Sequence, residues 1–439
     1  MKDIIFYKDT LVGKEIAFVL GIEYKFVDVI SKRNAKNNTI FIESEEDVAI
    51  AEKKGLVHKV DYLTLVDVCE YLDTCGRFVT DNRTLDINEI NEIPNEYLCL
   101  SQMLIKVLYS TPLDIDCKSI TETSYVDDDG NIWGCCPHWV DITFGNILYD
   151  NNPYDSYYAR MIRLSELNKT YCFCNLRYCR FHNSKPLENY VPKEIKANIY
   201  PKQSTIAIDR TCNLRCNSCR KQYLILNLEA KQRVEKVTDK LIENGLLNKS
   251  DLLIAGQGEV FFSKNYEKIL KSLEPRENIK ILSNGVLFTE DKLNYLLSKF
   301  KNVHVSISVD AATKETYNKL RHGLFEKLLQ NLRMLGKKRK ENIIPFFTLN
   351  FIVQRDNMNE MIDFIKLAKE INVDKIQFTR LLDWKTLDES EYLEKCLIVD
   401  ELLDYDLYKI LQDPIFKDDI VDISDFYKYI ESAKKYYGE

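Results

Sequence analysis

Three cysteines, Cys212, Cys216 and Cys219, stand together on one stretch with the spacing C-x3-C-x2-C, directly after the apolar run Ser204 to Ile208. Three thiolates on a single loop can ligate three irons of a cubane cluster and leave the fourth iron without a protein ligand. Four-iron clusters are normally closed by four cysteines, so an open position reads as a reaction centre. Structural zinc is the competing reading. Zinc sites usually present C-x2-C pairs with a second pair or histidines at finger-like distance. Here Cys179 and His182 lie on the other side of the preceding strand, in a second cysteine group. Disulfides are not expected. The chain opens Met1-Lys2-Asp3 with only a short apolar strand after it, which is no secretory signal, and a reducing, cytoplasmic location is expected.

The elements that must hold this loop are legible downstream. Ser204 to Ile208, Leu252 to Ala255, Ile279 to Leu282, Val303 to Val309, Pro345 to Val353 and Lys375 to Thr379 are short runs rich in apolar, β-branched or aromatic residues, with helical patterns between them. That alternation predicts a parallel sheet with right-handed crossovers. Six units predict an open partial barrel with its site at the C-terminal ends of the strands. Polar residues recur at those ends: Gly256-Gln257-Gly258-Glu259 after the second strand, Ser283-Asn284-Gly285 after the third, and Ser306 to Asp310 at the end of the fourth. Arg321 follows in Thr316-Tyr317-Asn318-Lys319-Leu320-Arg321. Singly, such residues are ordinary caps and turns; in this order at successive strand ends they outline a site.

With the cysteine loop and these strand ends in place, residues 200 to 390 resemble a radical S-adenosylmethionine (radical SAM) enzyme. The resemblance implies a [4Fe–4S] cluster held by Cys212, Cys216 and Cys219, with S-adenosylmethionine chelating the free iron. It implies that one electron splits the sulfonium and that a 5′-deoxyadenosyl radical then abstracts hydrogen from a C–H bond, with flavodoxin or ferredoxin as electron donor. Gly258 and Glu259 are similar to the family's Gly-Gly-Glu element, so Glu259 is expected to face the methionine amino group, although Gln257 departs from the simplest form. Asn284, Ser308 and Asp310 match positions that border the cofactor and its ribose. Arg321 resembles an arginine that pairs with the methionine carboxylate through its planar fork of donors. Ser218 stands where the family often has an aromatic residue.

A second group of thiols precedes the barrel: Cys117, Cys135, Cys136, Cys172, Cys174 and Cys179. Six thiols in a reducing interior point to metal. The stretch Gly130 to Cys135 and the following Cys174 to Cys179 are similar to the SPASM or twitch auxiliary-cluster modules of radical enzymes, here placed before the barrel. A branch with that inverted order reads Gly-x4-Cys-Cys-Pro, then Gly-Asn, then a cysteine pair, then the barrel, which Gly130 to Pro137 and Gly145-Asn146 resemble. One auxiliary iron–sulfur cluster, expected as [4Fe–4S], needs four ligands. The expected set is Cys117, Cys135, Cys174 and Cys179, with Cys136 and Cys172 as alternates, and structural zinc is the competing occupant. Cys69, Cys75, Cys99 and Cys396 are scattered and read as small buried hydrophobes.

The first hundred residues read as a β-α-β-β-α unit: strands Ile4 to Tyr7, Tyr24 to Val29 and Thr39 to Ile42, with helices Gly13 to Leu20 and Ser44 to Lys54. The turn Lys8 to Gly13 lacks the G-x-G-x-x-G fingerprint, so docking or substrate recognition is expected of this Rossmann-like domain rather than dinucleotide binding. The expected division is 1–98 for this domain, 99–198 for the auxiliary module, 199–385 for the barrel and 386–439 for a helical extension. A chain of 439 residues allows about three ordinary domains. Its net charge of -7 argues against a general nucleic-acid binder, and no apolar run reaches membrane-spanning length. The favoured substrate is a peptide or a carbohydrate. A non-enzymatic iron–sulfur or zinc scaffold and a tRNA-modifying radical enzyme are the alternatives. Residues Glu259, Asn284 and Arg321 discriminate against the scaffold, which has no need of S-adenosylmethionine ligands.

Overall fold

The computed structural model describes residues 2–76, 84–176, 179, 184–220, 222–224, 226–254, 258–383 and 387–438. Ala255, Gly256, Gln257 and His182 therefore lie outside the described residues. The chain forms two compact units, one comprising residues 1–125 and 131–202 and the other residues 126–130 and 203–439.

The first unit begins with four parallel strands, β1 (Asp3–Tyr7), β2 (Phe26–Val27), β3 (Asn38–Phe41) and β4 (Tyr62–Leu63), in the spatial order β2-β1-β3-β4. Ile5, Ile30, Ile40, Ile42, Ala51 and Tyr62 fill its core. Helix α1 (Leu11–Leu20) starts where Thr10 accepts from the Gly13 N–H, and stops at Gly21, whose φ of 68° a side chain would resist. The second strand is shorter than the expected Tyr24 to Val29. The expected β-α-β-β-α pattern also continues into β4 and helix α2 (Leu65–Cys75). Beyond it, helices α3 (Leu100–Tyr109) and α4 (Tyr157–Leu167) support a loop-rich segment containing the antiparallel pair β5 (Asn131–Trp133) and β6 (Gly145–Asn146).

The second unit is built on seven parallel strands: β7 (Gln203–Ile206), β8 (Asp251–Ile254), β9 (Arg276–Ser283), β10 (Phe300–Ser308), β11 (Phe346–Val353), β12 (Lys375–Arg380) and β13 (Val421–Asp422). They lie side by side in chain order. Alternation sets their two faces. In β10, Val303, Val305 and Ile307 are buried under the outer helices, while His304, Ser306 and Ser308 are half-buried on the opposite face. This is the parallel architecture of a partial barrel.

The expected six strands are all present, and β13 is an addition from the tail. The tail from 386 to 439, expected as a helical extension, holds the helices Glu389–Lys395, Tyr405–Ile410 and Tyr427–Tyr437 and also pairs with the edge of β12, where the Ile376 N–H donates to the Ile420 carbonyl at 2.6 Å. An open edge strand leaves N–H and C=O groups unpaired, and this short strand covers part of that edge. Phe416 and Phe426 anchor it as buried side chains. Among the scattered cysteines, Cys69, Cys99 and Cys396 are buried as expected, but Cys75 is exposed at the end of α2.

Candidate active site

The loop after β7 is tied down before its first cysteine. Asp209, only 2% exposed, accepts from the Thr211 N–H at 2.8 Å, the Ser263 hydroxyl at 2.6 Å and the Asn265 amide at 2.8 Å. Those partners open helix α5 (Lys264–Ser272), so a buried carboxylate bolts the loop to a helix N-terminus. Sequence reasoning passed over Asp209. Its signal was its place at a strand end beside the capping sequence Ser263-Lys264-Asn265. The far side of the loop rests on helix α6 (Lys314–Arg321). There Asn217 donates its backbone N–H to the Leu320 carbonyl and its amide to the Lys319 carbonyl, both at 2.8 Å. Asn217 also meets His322, which ends the helix with a φ of 50°.

Each of the three thiols meets a nitrogen donor. Cys212 Sγ accepts from the Leu214 N–H at 3.4 Å and lies 3.7 Å from Asn284 Nδ2. Arg321 Nη1 is 3.8 Å from Cys216 Sγ, and Arg220 Nη2 is 3.4 Å from Cys219 Sγ. Burial pushes the Cys216 thiol up to about 11, with Arg321 opposing and its neighbours Cys219 and Cys212 adding to the rise. Thiols crowded together out of water are poised to lose their protons to a metal centre rather than to solvent. No three Cys, His, Asp or Glu side chains among the described residues are grouped as ligands of a single ion. A cubane gives each cysteine its own iron, so its ligands need not converge on one point. The donor set of this loop fits an iron–sulfur cluster.

The strand ends converge on the same loop. Gly258 packs directly on its backbone: a Cβ there would stand 2.4 Å from the Thr211 carbonyl oxygen and 2.5 Å from that of Asp209. Its freedom from a side chain thus serves loop packing. Glu259 donates its N–H to the Thr211 carbonyl at 2.9 Å, and its carboxylate, 1% exposed, accepts from Ser283 Oγ and the Asn284 N–H, both at 2.7 Å. Burial raises the Glu259 pKa, and those hydrogen bonds oppose the rise. Asn284 reaches back to Asn213 on the cluster loop at 2.9 Å. Ser308 ends β10, half-buried, on the face it shares with Ser306.

Asp310 and Arg321 form a buried ion pair at 2.5 Å. Asp310, at a φ of 63°, also accepts from the Ile352 N–H at 2.7 Å, while its carbonyl accepts from Asn357 at 2.9 Å. Arg321 was expected to clasp a methionine carboxylate; here one Nη faces Asp310, the other faces Cys216, and the buried Nε has no hydrogen-bond partner among the described residues. One turn earlier, the fully buried hydroxyl of Tyr317 also lacks a hydrogen-bond partner among the described residues. Two orphaned donors beside a cluster loop suit a polar guest. Tyr317 was not singled out from the sequence, although its i, i+4 spacing from Arg321 places both on one helix face.

In the first unit, the auxiliary cysteines are brought together by loops around β5 and β6. Gly134 lets the Phe144 ring approach, since a Cβ there would lie 2.5 Å from it. Tyr171 spans the module: its hydroxyl donates to the Cys117 carbonyl at 2.8 Å and accepts from the Cys117 N–H at 3.3 Å. Val140 bridges to Cys174, and the Asn175 N–H donates to the Trp139 carbonyl at 2.8 Å. Burial pushes the Cys135 thiol up to about 12, with Cys136, Cys117 and Cys179 adding to it. Cys174 is raised well above the ordinary range by burial, and then by Cys135, Cys172, Cys179 and Cys117. The Cys172 thiol also faces Thr170 at 3.6 Å and feels Lys106 and Ser110. Cys136 is turned to the His138 backbone. No cysteines among the described residues are joined in a disulfide.

Residues 206–368 match the family model of the radical SAM superfamily. The three-thiol loop fits the [4Fe–4S] cluster and S-adenosylmethionine that this family model implies. Over 199 residues the chain is 26% identical to the antilisterial bacteriocin subtilosin biosynthesis protein AlbA of Bacillus subtilis (strain 168), covering 43% of this chain and 41% of that protein. It is 22% identical over 221 residues to a probable GTP 3′,8-cyclase of Saccharolobus islandicus (strain Y.N.15.51 / Yellowstone #2), covering 44% of this chain and 65% of that one. The chain thus spans less than two thirds of the length of either relative. Among solved structures, SuiB of Streptococcus suis bound to S-adenosylmethionine aligns with a TM-score of 0.36 at 13% identity, over 61% of this chain and 54% of that one. No described helix is long and apolar enough to cross a membrane.

Proposed function

We propose that this protein is a radical SAM enzyme that modifies a peptide by abstracting hydrogen from one of its C–H bonds. When bound, the cluster and S-adenosylmethionine supply an electron and a 5′-deoxyadenosyl radical for that abstraction. Cys212, Cys216 and Cys219 hold the cluster. Glu259 accepts from the methionine ammonium, its carboxylate already oriented by Ser283 and the Asn284 N–H. Asn284, Ser308 and Asp310 border the nucleoside. Arg321, whose Nε has no hydrogen-bond partner among the described residues, keeps one donor for the methionine carboxylate. Flavodoxin or ferredoxin supplies the electron. The buried neighbourhood excludes water, which keeps a reactive radical from side reactions.

The auxiliary module holds a second iron–sulfur cluster on Cys117, Cys135, Cys174 and Cys179. Cys117 and Cys179 each act on both Cys135 and Cys174, which supports that choice, with Cys136 and Cys172 as the alternates. Residues 1–98 serve docking, 99–198 carry the auxiliary module, 199–385 form the barrel and 386–439 buttress its edge. The peptide class rests on AlbA, a protein of bacteriocin biosynthesis.

The observation that carries the reading is the meeting of Asn284 and Arg321 with the sulfurs of Cys212 and Cys216. Anaerobically reconstituted protein given dithionite and S-adenosylmethionine is expected to release 5′-deoxyadenosine, and Cys216→Ala to abolish it. Release that persists in the variant overturns the proposal. Co-expression with short peptides encoded beside the gene is expected to change the mass of one of them, dependent on Cys216.

A further inference from the structure

Two arginines are aimed at the thiols of the cluster loop, and each is fixed at its other end. Arg220 Nη1 donates to the Arg210 carbonyl at 2.7 Å, which leaves Nη2 directed at Cys219 Sγ, 3.4 Å away. Arg210 is itself braced by Asp128 at 2.8 Å. Arg321 is clamped by Asp310 at 2.5 Å and turns Nη1 to Cys216 Sγ at 3.8 Å. Cys212 has only neutral donors, the Leu214 N–H and the Asn284 amide. Two of the three thiols thus meet a guanidinium directly, and Arg220 acts on Cys212 from farther off.

We propose that Arg220 and Arg321 are the residues that set the reduction potential of the cluster held by Cys212, Cys216 and Cys219, through charged N–H···S contacts to Cys219 and Cys216. The inference rests on the radical SAM reading above and adds a task to it: tuning the electron-accepting couple toward its donor. A cluster's potential depends on its net charge and on hydrogen bonds to its sulfurs. Each reduction adds one negative charge, so a cation beside a thiolate favours the reduced state. Burial removes the water that would screen it.

The two arginines are not equivalent. Arg321 shares its charge with Asp310 at 2.5 Å, and Arg220 Nη1 donates to the Arg210 carbonyl at 2.7 Å. Burial works against the charge on Arg321, yet Asp310 and then Cys216 outweigh it and hold the guanidinium above its usual range. Arg220 shows the same balance, with burial opposed by Cys219. Arg220 stands closer to its sulfur, at 3.4 Å against 3.8 Å for Arg321, and is the stronger lever.

The test is an EPR-monitored redox titration of the full chain without S-adenosylmethionine, on protein whose auxiliary cluster is removed by Cys174→Ala. Arg220→Gln is expected to keep its iron and shift the midpoint negative by about 59 mV, a tenfold change in a one-electron equilibrium. Arg220→Lys is expected to restore most of that shift, because the charge returns. Arg321→Lys keeps a cation for Asp310 and is expected to shift the midpoint negative by less. Midpoints unchanged in both Arg220→Gln and Arg321→Lys, with iron retained, overturn the inference alone. A Cys174→Ala parent that cleaves S-adenosylmethionine but shows no arginine effect does likewise. A parent that assembles no iron–sulfur cluster at all overturns the underlying reading as well.

Discussion

The Glu259 backbone N–H donates to the Thr211 carbonyl at 2.9 Å, joining the end of one strand to the first turn of the cluster loop. This single hydrogen bond sets the distance between a candidate cofactor carboxylate and Cys212, one residue beyond Thr211. It is attainable because the preceding residue, Gly258, has no side chain.

Gly258→Ala should therefore displace the loop. Its methyl would meet backbone oxygens at 2.4 and 2.5 Å, with no flexible side chain to yield. Overpacking of this kind costs about 1–3 kcal/mol. The expected outcome is a lowered urea midpoint and loss of iron from the first cluster, with the auxiliary iron retained. A variant with wild-type iron content and stability contradicts the packing argument.

Cys174 and Cys136 should behave oppositely. Cys174 feels Cys135, Cys172, Cys179 and Cys117, whereas Cys136 is turned to the His138 backbone. Cys174→Ala is expected to lose about four irons per chain, one four-iron cluster, and Cys136→Ala to keep them. Because these thiols stand well above their ordinary range, iron loading must release protons, so loading is expected to weaken as pH falls. Iron analysis across pH 6 to 9 (roughly the window in which such sites are assembled) checks both statements. Stoichiometric zinc in place of iron would sink them.

Glu15 lies 3% exposed in α1, held by the Asn168 amide at 2.7 Å, and burial pushes its carboxyl up to about 7. Its folded pKa exceeds the ordinary 4.5, so the folded chain holds the extra proton. The stability this gives is complete below pH 4.5 and lost as pH rises through about 7. Glu15→Gln keeps an acceptor for Asn168 and removes the titration. Above pH 7 the variant is expected to gain on the order of 3 kcal/mol, at about 1.4 kcal/mol per pKa unit. Hydrogen exchange of the Leu11–Leu20 amides at pH 5 and 8 reads this locally. Equal pH dependence in both proteins would refute it. Glu166, also pushed up to about 7 by burial, contributes to the slope that remains.

The parallel strands of the second unit and its cysteine loop were legible because both are local signals. Runs such as Val303 to Val309 have the strand period, and three cysteines within eight residues must share a loop. The tail shows the limit: Val421–Asp422 is too short to carry a period, and only the open edge of β12 makes it a strand. Asp209 and Tyr317 were missed for a related reason. One buried carboxylate and one buried phenol acquire meaning only from partners 54 residues away in the first case, and from the lack of a hydrogen-bond partner among the described residues in the second.

Residue order alone therefore determined the alternation of strands and helices, the cysteine triad and the polar strand ends, since each is written in neighbouring positions. Tertiary structure decided which of those groups touch. It gave Arg321 to Asp310 and Cys216, pressed Gly258 against the cluster loop, and turned Cys136 to backbone. These outcomes depend on how distant backbones approach within a few ångströms, and packing, unlike period or spacing, has no local signature.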